Sequence, residues 1–209
     1  MQSLIGKFML VLALTHAAQA LPAQELAPDV LLQSTTLEVV ATMQRVRDMQ
    51  GGQMEEIARL VETKIAPLFD FAHMTRIAVA RNWRLATPDQ QVALTAAFKT
   101  LLVRTYSTAL LTYRDQVIEF RTMHSAPGAT EVTVKSMVRK PGTAPVAMNY
   151  DMEKTPAGWK VFDITVEGIS LVTNYRDSFA QIVRDRGMDG LIKTLEKKNV
   201  PGASGAPSA

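Results

Sequence analysis

The chain has 209 residues, of which 47% are hydrophobic, and a formal net charge of +3. So weak a charge, spread along the whole chain, does not favour nucleic-acid binding, which requires a concentrated basic surface. The sequence has no cysteine, which excludes disulfide bonds and thiolate metal sites. A chain of this length can bury a core that needs no such cross-links, so we predict a single domain.

Residues 1–20 have the pattern of a cleavable signal peptide. Lys7 supplies a positive charge, residues 8–14 form an uncharged apolar run, and Ala18-Gln19-Ala20 has the small-x-small form of a cleavage site. The apolar run is too short to cross a bilayer, so an uncleaved anchor is the weaker alternative. We therefore predict export to a bacterial periplasm, with one folded domain at 21–199 and a disordered Pro- and Gly-rich tail at 200–209.

Two helices are predicted in the first part of the chain. At 29–49 the apolar residues recur at helical spacing, and Gly51-Gly52 ends the pattern. The same period continues over 57–65 in a shorter helix that Pro67 interrupts. Residues 68–74 are dense in large apolar side chains, which is typical of a tight core corner or of a cavity wall.

A third helix has a clear beginning. In Thr87-Pro88-Asp89-Gln90 the threonine can cap the helix, the proline suits the first turn, and Gln90 completes a capping box. An apolar stripe that includes Phe98 and Leu102 continues the helix to about Tyr113. We predict that this central helix lies across a sheet.

Four strands are predicted next, at 117–123, 131–139, 146–153 and 159–166. The turns between them are short, which favours antiparallel pairing in a meander. Apolar and polar residues alternate, which indicates one face against helices and one face in water. In the last strand this alternation places Phe162, Ile164 and Val166 inside and directs Asp163 outward.

The helical period returns after Gly168. It predicts a long helix that Gly187 stops and a last short helix around residues 191–195. The order of helices, strands and helices predicts an α+β fold. We expect a curved antiparallel sheet of about four strands, covered on one face by about six or seven helices, with an apolar cavity enclosed between them.

Residues for catalysis or metal binding are scarce. After the signal peptide only His73 and His124 remain, and they are too far apart for a helical metal pair. We expect His73 to be packed or to lie at a helix end, and His124 to be exposed. Asp151 and Asp163 are predicted to point away from the apolar face, which makes them poor catalytic groups. We therefore predict no catalytic residue, no metal and no cofactor.

Several separated blocks of the sequence resemble one family. They are GWKVFDITVEGISLVTNYRDSF and GMDGLIKTLEKKN near the C-terminus, and RNWRLATPDQQVALTAAFKTLLVRTYSTAL and VTVKSMV upstream. In this order they resemble the MlaC family, also called toluene-tolerance auxiliary proteins, from about residue 30 to residue 199.

The resemblance implies a periplasmic phospholipid-binding protein. In that family the acyl chains enter an apolar cavity between helices and sheet, and the headgroup stays near the mouth. The family's carriers exchange lipid with an inner-membrane ABC transporter complex that has an MCE-domain subunit, and with an outer-membrane lipoprotein–porin complex. The implied function is a monomeric shuttle that maintains outer-membrane lipid asymmetry. A hopanoid-associated branch shares the signature, so another lipid is an alternative.

The periodicity predicts which large apolar side chains line the cavity. They are Leu68, Phe69, Met74, Phe98, Leu102 and Tyr106 from helices, and Val134, Val138, Val146, Met148, Tyr150, Phe162, Ile164 and Ile169 from the sheet side. Packing in the core is the alternative for each. Lys140, Lys160 and Arg176 are candidate neighbours of the phosphate, with a solvated salt bridge as the alternative for each.

Each polar residue considered in the block GWKVFDITVEGISLVTNYRDSF has two alternative roles. Glu167 can cap the following helix or form a buried ion pair with Arg176. Tyr175 and Arg176 can clamp a ligand; alternatively, Tyr175 packs the long helix onto the sheet while Arg176 pairs with Glu167 or Asp177.

Two other functions are open. A cavity enzyme of the isomerase or dehydratase kind, acting on a small apolar substrate, would need a carboxylate or a histidine on the apolar face. A structural adaptor would have a filled interior and an exposed apolar patch. A lipid carrier needs a large dry cavity, because hiding roughly thirty methylenes from water contributes on the order of 20 kcal/mol.

Overall fold

The computed structural model describes residues 26–112, 116–122, 126 and 128–200, with the backbone alone at 108–112. The predicted signal peptide, His124 and residues 201–209 of the predicted tail lie outside the described residues. Within that described part, no helix is both long enough and apolar enough to cross a membrane.

Five α-helices lie in the described residues, fewer than the six or seven predicted. Their bounds are α1 Pro28–Arg47, α2 Gln53–Leu60, α3 Phe71–Val79, α4 Pro88–Thr112 and α5 Arg176–Lys198. Between α2 and α3 the chain forms a π-helical turn at Val61–Ile65 and a 3-10 turn at Ala66–Leu68. Pro67 explains this change, because its ring clashes with the continuation of an α-helix. The predicted break at Gly187 is present inside α5, where φ is 68° and ψ is −173°.

The capping box predicted at the start of α4 is present. The backbone N–H of Gln90 donates to Thr87 Oγ1 at 3.2 Å, and the backbone N–H of Thr87 donates to Gln90 Oε1 at 3.0 Å. Each side chain thus satisfies a backbone donor that the first turn leaves free. The helix packs against α3 and α5, and its C-terminal half faces the sheet across a cavity.

Five antiparallel strands form one open sheet in the order β1-β2-β3-β4-β5. Their bounds are β1 Val117–Phe120, β2 Glu131–Arg139, β3 Val146–Thr155, β4 Gly158–Val166 and β5 Ile169–Ser170. The sequence predicted about four strands and missed β5, which has only two residues. Glu167 and Gly168 both have positive φ, 50° and 84°, and this pair lets β5 fold back at once onto β4.

A β-bulge in β4 corrects the predicted alternation. Asp151 pairs with Asp163 and Met152 pairs with Val161, so Phe162 has no partner on β3. Because β4 has one extra residue at this point, the side chains that precede the bulge lie on the opposite face of the sheet from the one that regular alternation predicts. Val161 is therefore fully buried beside Met152, although simple alternation places it on the solvent side.

Phe162 itself lies outside the cavity. Its ring stacks on His73 of α3, with the ring centroids 4.5 Å apart and the planes 15° from parallel. His73 Nδ1 lies 2.6 Å from Glu153 Oε1 on β3. His73 is thus packed, as predicted, and it ties α3 to β3 and β4.

Asp163 is buried, and the prediction that it points outward to solvent is wrong. Only 7% of its surface is exposed. One carboxylate oxygen accepts from the backbone N–H of Ile164 at 2.8 Å and of Val172 at 3.3 Å, and the other accepts from the Ser170 hydroxyl. The residues after β4 fold over this carboxylate and shield it from solvent. Strand alternation alone does not predict this burial.

Burial raises the pKa of Asp163 above its usual value of 3.8, against the opposing effect of its hydrogen bonds. The folded state therefore holds this proton more tightly than the unfolded chain does. We expect the Asp163 contribution to the free energy of unfolding to be largest below pH 3.8 and to fall as the pH rises through the raised pKa.

Urea unfolding of the wild type and of Asp163→Asn over this pH range measures the contribution. The asparagine cannot titrate, so the difference between the two curves isolates the effect from that of the other carboxylates. Parallel curves would contradict the expectation.

The buried side chains form three clusters. A helical cluster joins α3, α4 and α5 and includes Phe98 and Leu191. A sheet cluster joins α1 to β2, β3 and β4 through Leu32 and Met152. A third cluster joins α1 and α2 around Ile57. Each cluster anchors a different part of the fold, and the space between them is incompletely filled.

Candidate functional site

A cavity of about 340 Å³ lies where the three clusters approach one another. Its walls come from the turns after α2, from α3 and α4, and from β3, β4 and the residue after β5. The lining residues are Val61, Ile65, Ala66, Phe69, Phe71, Met74, Leu102, Val103, Tyr106, Ser107, Met148, Ile164, Val166 and Leu171. A cavity of this size is within the range of small-molecule and lipid-chain sites.

The sheet side of the cavity is set by strand register. Met148 on β3 pairs directly with Val166 on β4, so their side chains share one face. Ile164 shares that face and packs against the sheet cluster. Leu171 joins them because its backbone N–H donates to the Ile164 carbonyl at 2.8 Å, which folds the chain back over β4.

The helical side begins with the irregular segment after α2. Phe69 forms a parallel bridge with Val161, and the backbone N–H of Asp70 donates to the Val161 carbonyl at 2.9 Å. The Asp70 carboxylate then caps α3 by accepting from the backbone N–H of His73 at 2.7 Å. These contacts fix Phe69 and the first turn of α3 as one wall of the cavity.

The α4 wall consists of two pairs of residues spaced four apart. Leu102 with Tyr106, and Val103 with Ser107, lie on adjoining strips of the helix and both face the cavity. The Ser107 hydroxyl donates back to the Val103 carbonyl and is thus engaged within the helix. Tyr106 presents its ring to the cavity, while its hydroxyl lies beside that of Tyr175.

Burial stabilises the neutral form of both phenols. It raises the pKa of Tyr106, and it raises the pKa of Tyr175 further, with the neighbouring Tyr106 adding to that rise. No charged residue is among those that line the cavity in the described part of the chain. The described lining residues can thus hold an apolar group.

Six of the predicted lining residues lie in the cavity wall: Phe69, Met74, Leu102, Tyr106, Met148 and Ile164. Three are packed into clusters instead: Phe98, Val134 and Tyr150. Phe98 is fully buried because it lies one turn before the cavity, where α5 closes on α4. Tyr150 stacks on Phe120 of β1 with the ring centroids 5.9 Å apart, and its hydroxyl lies 3.0 Å from Met148 Sδ.

The other five predicted lining residues lie elsewhere, for local reasons. Val138 and Val146 pair with each other at the far end of the β2–β3 hairpin. Phe162 occupies the bulge, and Leu68 ends the 3-10 turn outside the cavity wall. Ile169 pairs with Val166 but lies on β5 at the edge of the sheet, where it is 62% exposed.

Eight lining residues were missed: Val61, Ile65, Ala66, Phe71, Val103, Ser107, Val166 and Leu171. Helical periodicity places Val61 and Ile65 on the apolar face of a helix, and strand alternation places Val166 on the inner face of the sheet. Neither pattern distinguishes a residue that lines a cavity from one that packs in the core. Ala66 and Ser107 are small, and nothing in the sequence marks them. Leu171 lies in the family signature, in a stretch for which the sequence predicts the start of a helix. That prediction gives no reason to place Leu171 in a cavity wall.

None of the three candidate phosphate neighbours lines the cavity. Lys140 is exposed at the β2–β3 turn. Lys160 Nζ donates to the Pro67 carbonyl, and Arg176 Nε donates to the Ile77 carbonyl at 3.0 Å. Among the described residues, Arg176 forms an ion pair with neither Glu167 nor Asp177, the two partners considered for it. Glu167 instead accepts from the backbone N–H of Ala147 at 2.6 Å.

Tyr175 is 4% exposed and packs within the helical cluster. It meets Phe98 edge to face at 5.1 Å and Phe179 at 5.4 Å, measured between ring centroids. It thus packs the last long helix, but against α4 and not against the sheet as predicted. His73 and Asp163, which a cavity enzyme would need inside, do not line the cavity.

The chain is similar to characterised proteins over most of its length. Residues 33–197 match the family model described as MlaC protein. Toluene tolerance protein ttg2D of Pseudomonas putida is 26% identical over 197 residues, which covers 94% of this chain and 90% of that protein. The intermembrane phospholipid transport system binding protein MlaC of Haemophilus influenzae is 18% identical over 176 residues, which covers 83% of this chain and 82% of that protein.

A solved structure shares the fold. It is the phospholipid-binding protein from Ralstonia solanacearum in complex with a phospholipid. Its sequence is 38% identical, the match covers 82% of this chain and 96% of that one, and the TM-score is 0.73. The family resemblance noted in the sequence is thereby confirmed, and the chain belongs to the MlaC family.

Proposed function

We propose that the protein is a periplasmic carrier that binds a phospholipid by its acyl chains in the apolar cavity. The observation that carries this proposal is the cavity wall itself. In the part of the chain that the structure describes, apolar side chains from three clusters meet there, and no lining residue is charged. The phospholipid bound to the Ralstonia solanacearum relative, which has the same fold, supports it.

Hydrophobic burial supplies the binding energy. Each methylene removed from water contributes about 0.8 kcal/mol, so even part of an acyl chain in the cavity gives strong binding relative to water. A bilayer interior is a similarly apolar surrounding, so the transfer from membrane to cavity is nearly balanced. This balance suits a protein that must also release what it binds.

We propose that the carrier moves phospholipid between the inner and outer membranes and so maintains outer-membrane lipid asymmetry. Its partners in this proposal are an inner-membrane ABC transporter complex with an MCE-domain subunit and an outer-membrane lipoprotein–porin complex. Because binding and release are nearly balanced, the ATP-driven partner sets the direction. The carrier acts as a monomer after export and removal of its signal peptide, and the proposal contains no catalytic step.

Mass spectrometry under native conditions tests the binding step. We expect protein purified from bacteria to show a mass increase that corresponds to about equimolar phospholipid, because the cavity walls would otherwise face an apolar void. Organic extraction followed by lipid analysis identifies the bound species and separates a phospholipid from a hopanoid. Protein that is free of lipid after native purification would contradict the proposal.

A further inference from the structure

We propose that Tyr106 closes the inner end of the cavity and sets the longest acyl chain that the protein accepts. The proposal rests on the function proposed above and assigns a specificity-determining role to one residue of the cavity wall. Three observations support it: the position of the Tyr106 ring, the filled space behind it, and the way its hydroxyl is withdrawn from the cavity.

Tyr106 lies at the boundary between cavity and core. Its ring is part of the cavity wall, and it also packs against the helical cluster. Its hydroxyl lies beside that of Tyr175, whose own oxygen has no accessible surface. The Tyr106 side chain therefore extends from the cavity wall to the helical cluster, and the end of the cavity next to this cluster is called its inner end.

The space behind Tyr106 is filled. Tyr175 packs between Phe98 and Phe179, and the three ring centroids lie 5.1 to 5.4 Å from one another. Phe98 is 0% exposed, and Tyr175 and Phe179 are each 4% exposed. Among the described residues, an acyl chain that reaches the Tyr106 ring therefore meets these packed rings.

The withdrawn hydroxyl explains why a tyrosine can serve as an apolar stop. The ring alone meets the chain end, whereas the polar atom is placed among the helices next to Tyr175. Each methylene that cannot enter the cavity weakens binding about fourfold relative to one that can. A stop of this kind discriminates between chain lengths without contacting the headgroup.

Binding of phosphatidylglycerols of graded acyl-chain length tests the inference. The wild type should bind more tightly as the chains lengthen, up to a limit. Tyr106→Phe keeps the ring and should keep that limit, whereas Tyr106→Ala should move it to longer chains. At a length about two carbons beyond the wild-type limit, we expect Tyr106→Ala to bind about tenfold more tightly than the wild type.

Two further variants separate this role from a general enlargement of the cavity or a loss of folding. Met148→Ala removes a large side chain from the sheet wall and should leave the length limit in place. Tyr106→Leu removes the ring but keeps an apolar helix former, and it should move the limit even where Tyr106→Ala fails to fold.

The outcomes distinguish the two proposals. A wild type that binds phospholipid while Tyr106→Ala and Tyr106→Leu keep the wild-type limit would overturn the role of Tyr106 and leave the carrier function intact. A shift of the limit in Met148→Ala equal to that in Tyr106→Ala would also overturn it. A wild type that binds no phosphatidylglycerol of any length would overturn both proposals.

Discussion

Replacement of Val103 by tryptophan is expected to weaken phospholipid binding more than tenfold and to lower the phospholipid content of the purified protein. Val103 lies on the α4 wall of the cavity, next to open space that an indole would occupy. Excluding two or three methylenes of a bound acyl chain costs about 2 kcal/mol, which exceeds a tenfold loss of affinity. Quantification of phospholipid extracted from equal amounts of purified wild type and variant measures the effect.

The same helix offers a matched control. Val92 is 71% exposed, so Val92→Trp introduces the same side chain without entering the cavity and should leave phospholipid retention unchanged. Val103→Ala, which enlarges the cavity, should also retain lipid. Full occupancy in a folded Val103→Trp protein would show that the ligand does not use this cavity.

Replacement of Phe98 by alanine is expected to lower the free energy of unfolding by about 3 to 5 kcal/mol. Phe98 is 0% exposed and packs edge to face against both Tyr175 and Phe179. Its removal leaves a hole at the contact between α4 and α5, where the surrounding rings can relax only in part. Urea denaturation of the wild type and the variant measures the change.

The comparison with Ile169 makes this prediction specific. Both residues were expected to line the cavity, but Ile169 is 62% exposed, so Ile169→Ala should change the free energy of unfolding by no more than about 0.5 kcal/mol. Phe98→Ala that remains folded should retain phospholipid, because Phe98 is absent from the cavity wall. Equal stability of the two variants would contradict the assignment of Phe98 to the core.

Local sequence patterns predicted the helices and strands well. They predicted less well on which face of the sheet each strand side chain lies. The capping box at Thr87 and the glycine break at Gly187 depend on neighbours within a few residues, and both are present. The face of a β4 residue depends instead on pairing with β3. The unpaired Phe162 shifts that pairing by one residue, so an alternation rule that is correct for Ile164 is wrong for Phe162.

Polar residues were harder to place, because their environment depends on segments distant in the sequence or on the geometry of a nearby turn. Asp163 does lie off the cavity face, as alternation predicts, but β5 and the following turn cover it. Arg176 reaches a backbone carbonyl of α3 at residue 77, a contact between parts of the chain that sequence spacing does not connect.

By itself, the sequence determined the family, the α+β order of elements and the apolar character of the residues from which a cavity could be built. Those properties follow from hydrophobic period, turn residues and motif, all of which are local. Only the tertiary structure decided which apolar residues form walls and which form core. That distinction arises where three clusters fail to close on one another: Phe98 meets the α5 rings and is packed, whereas Leu102 and Tyr106, one and two turns later on the same helix, face empty space.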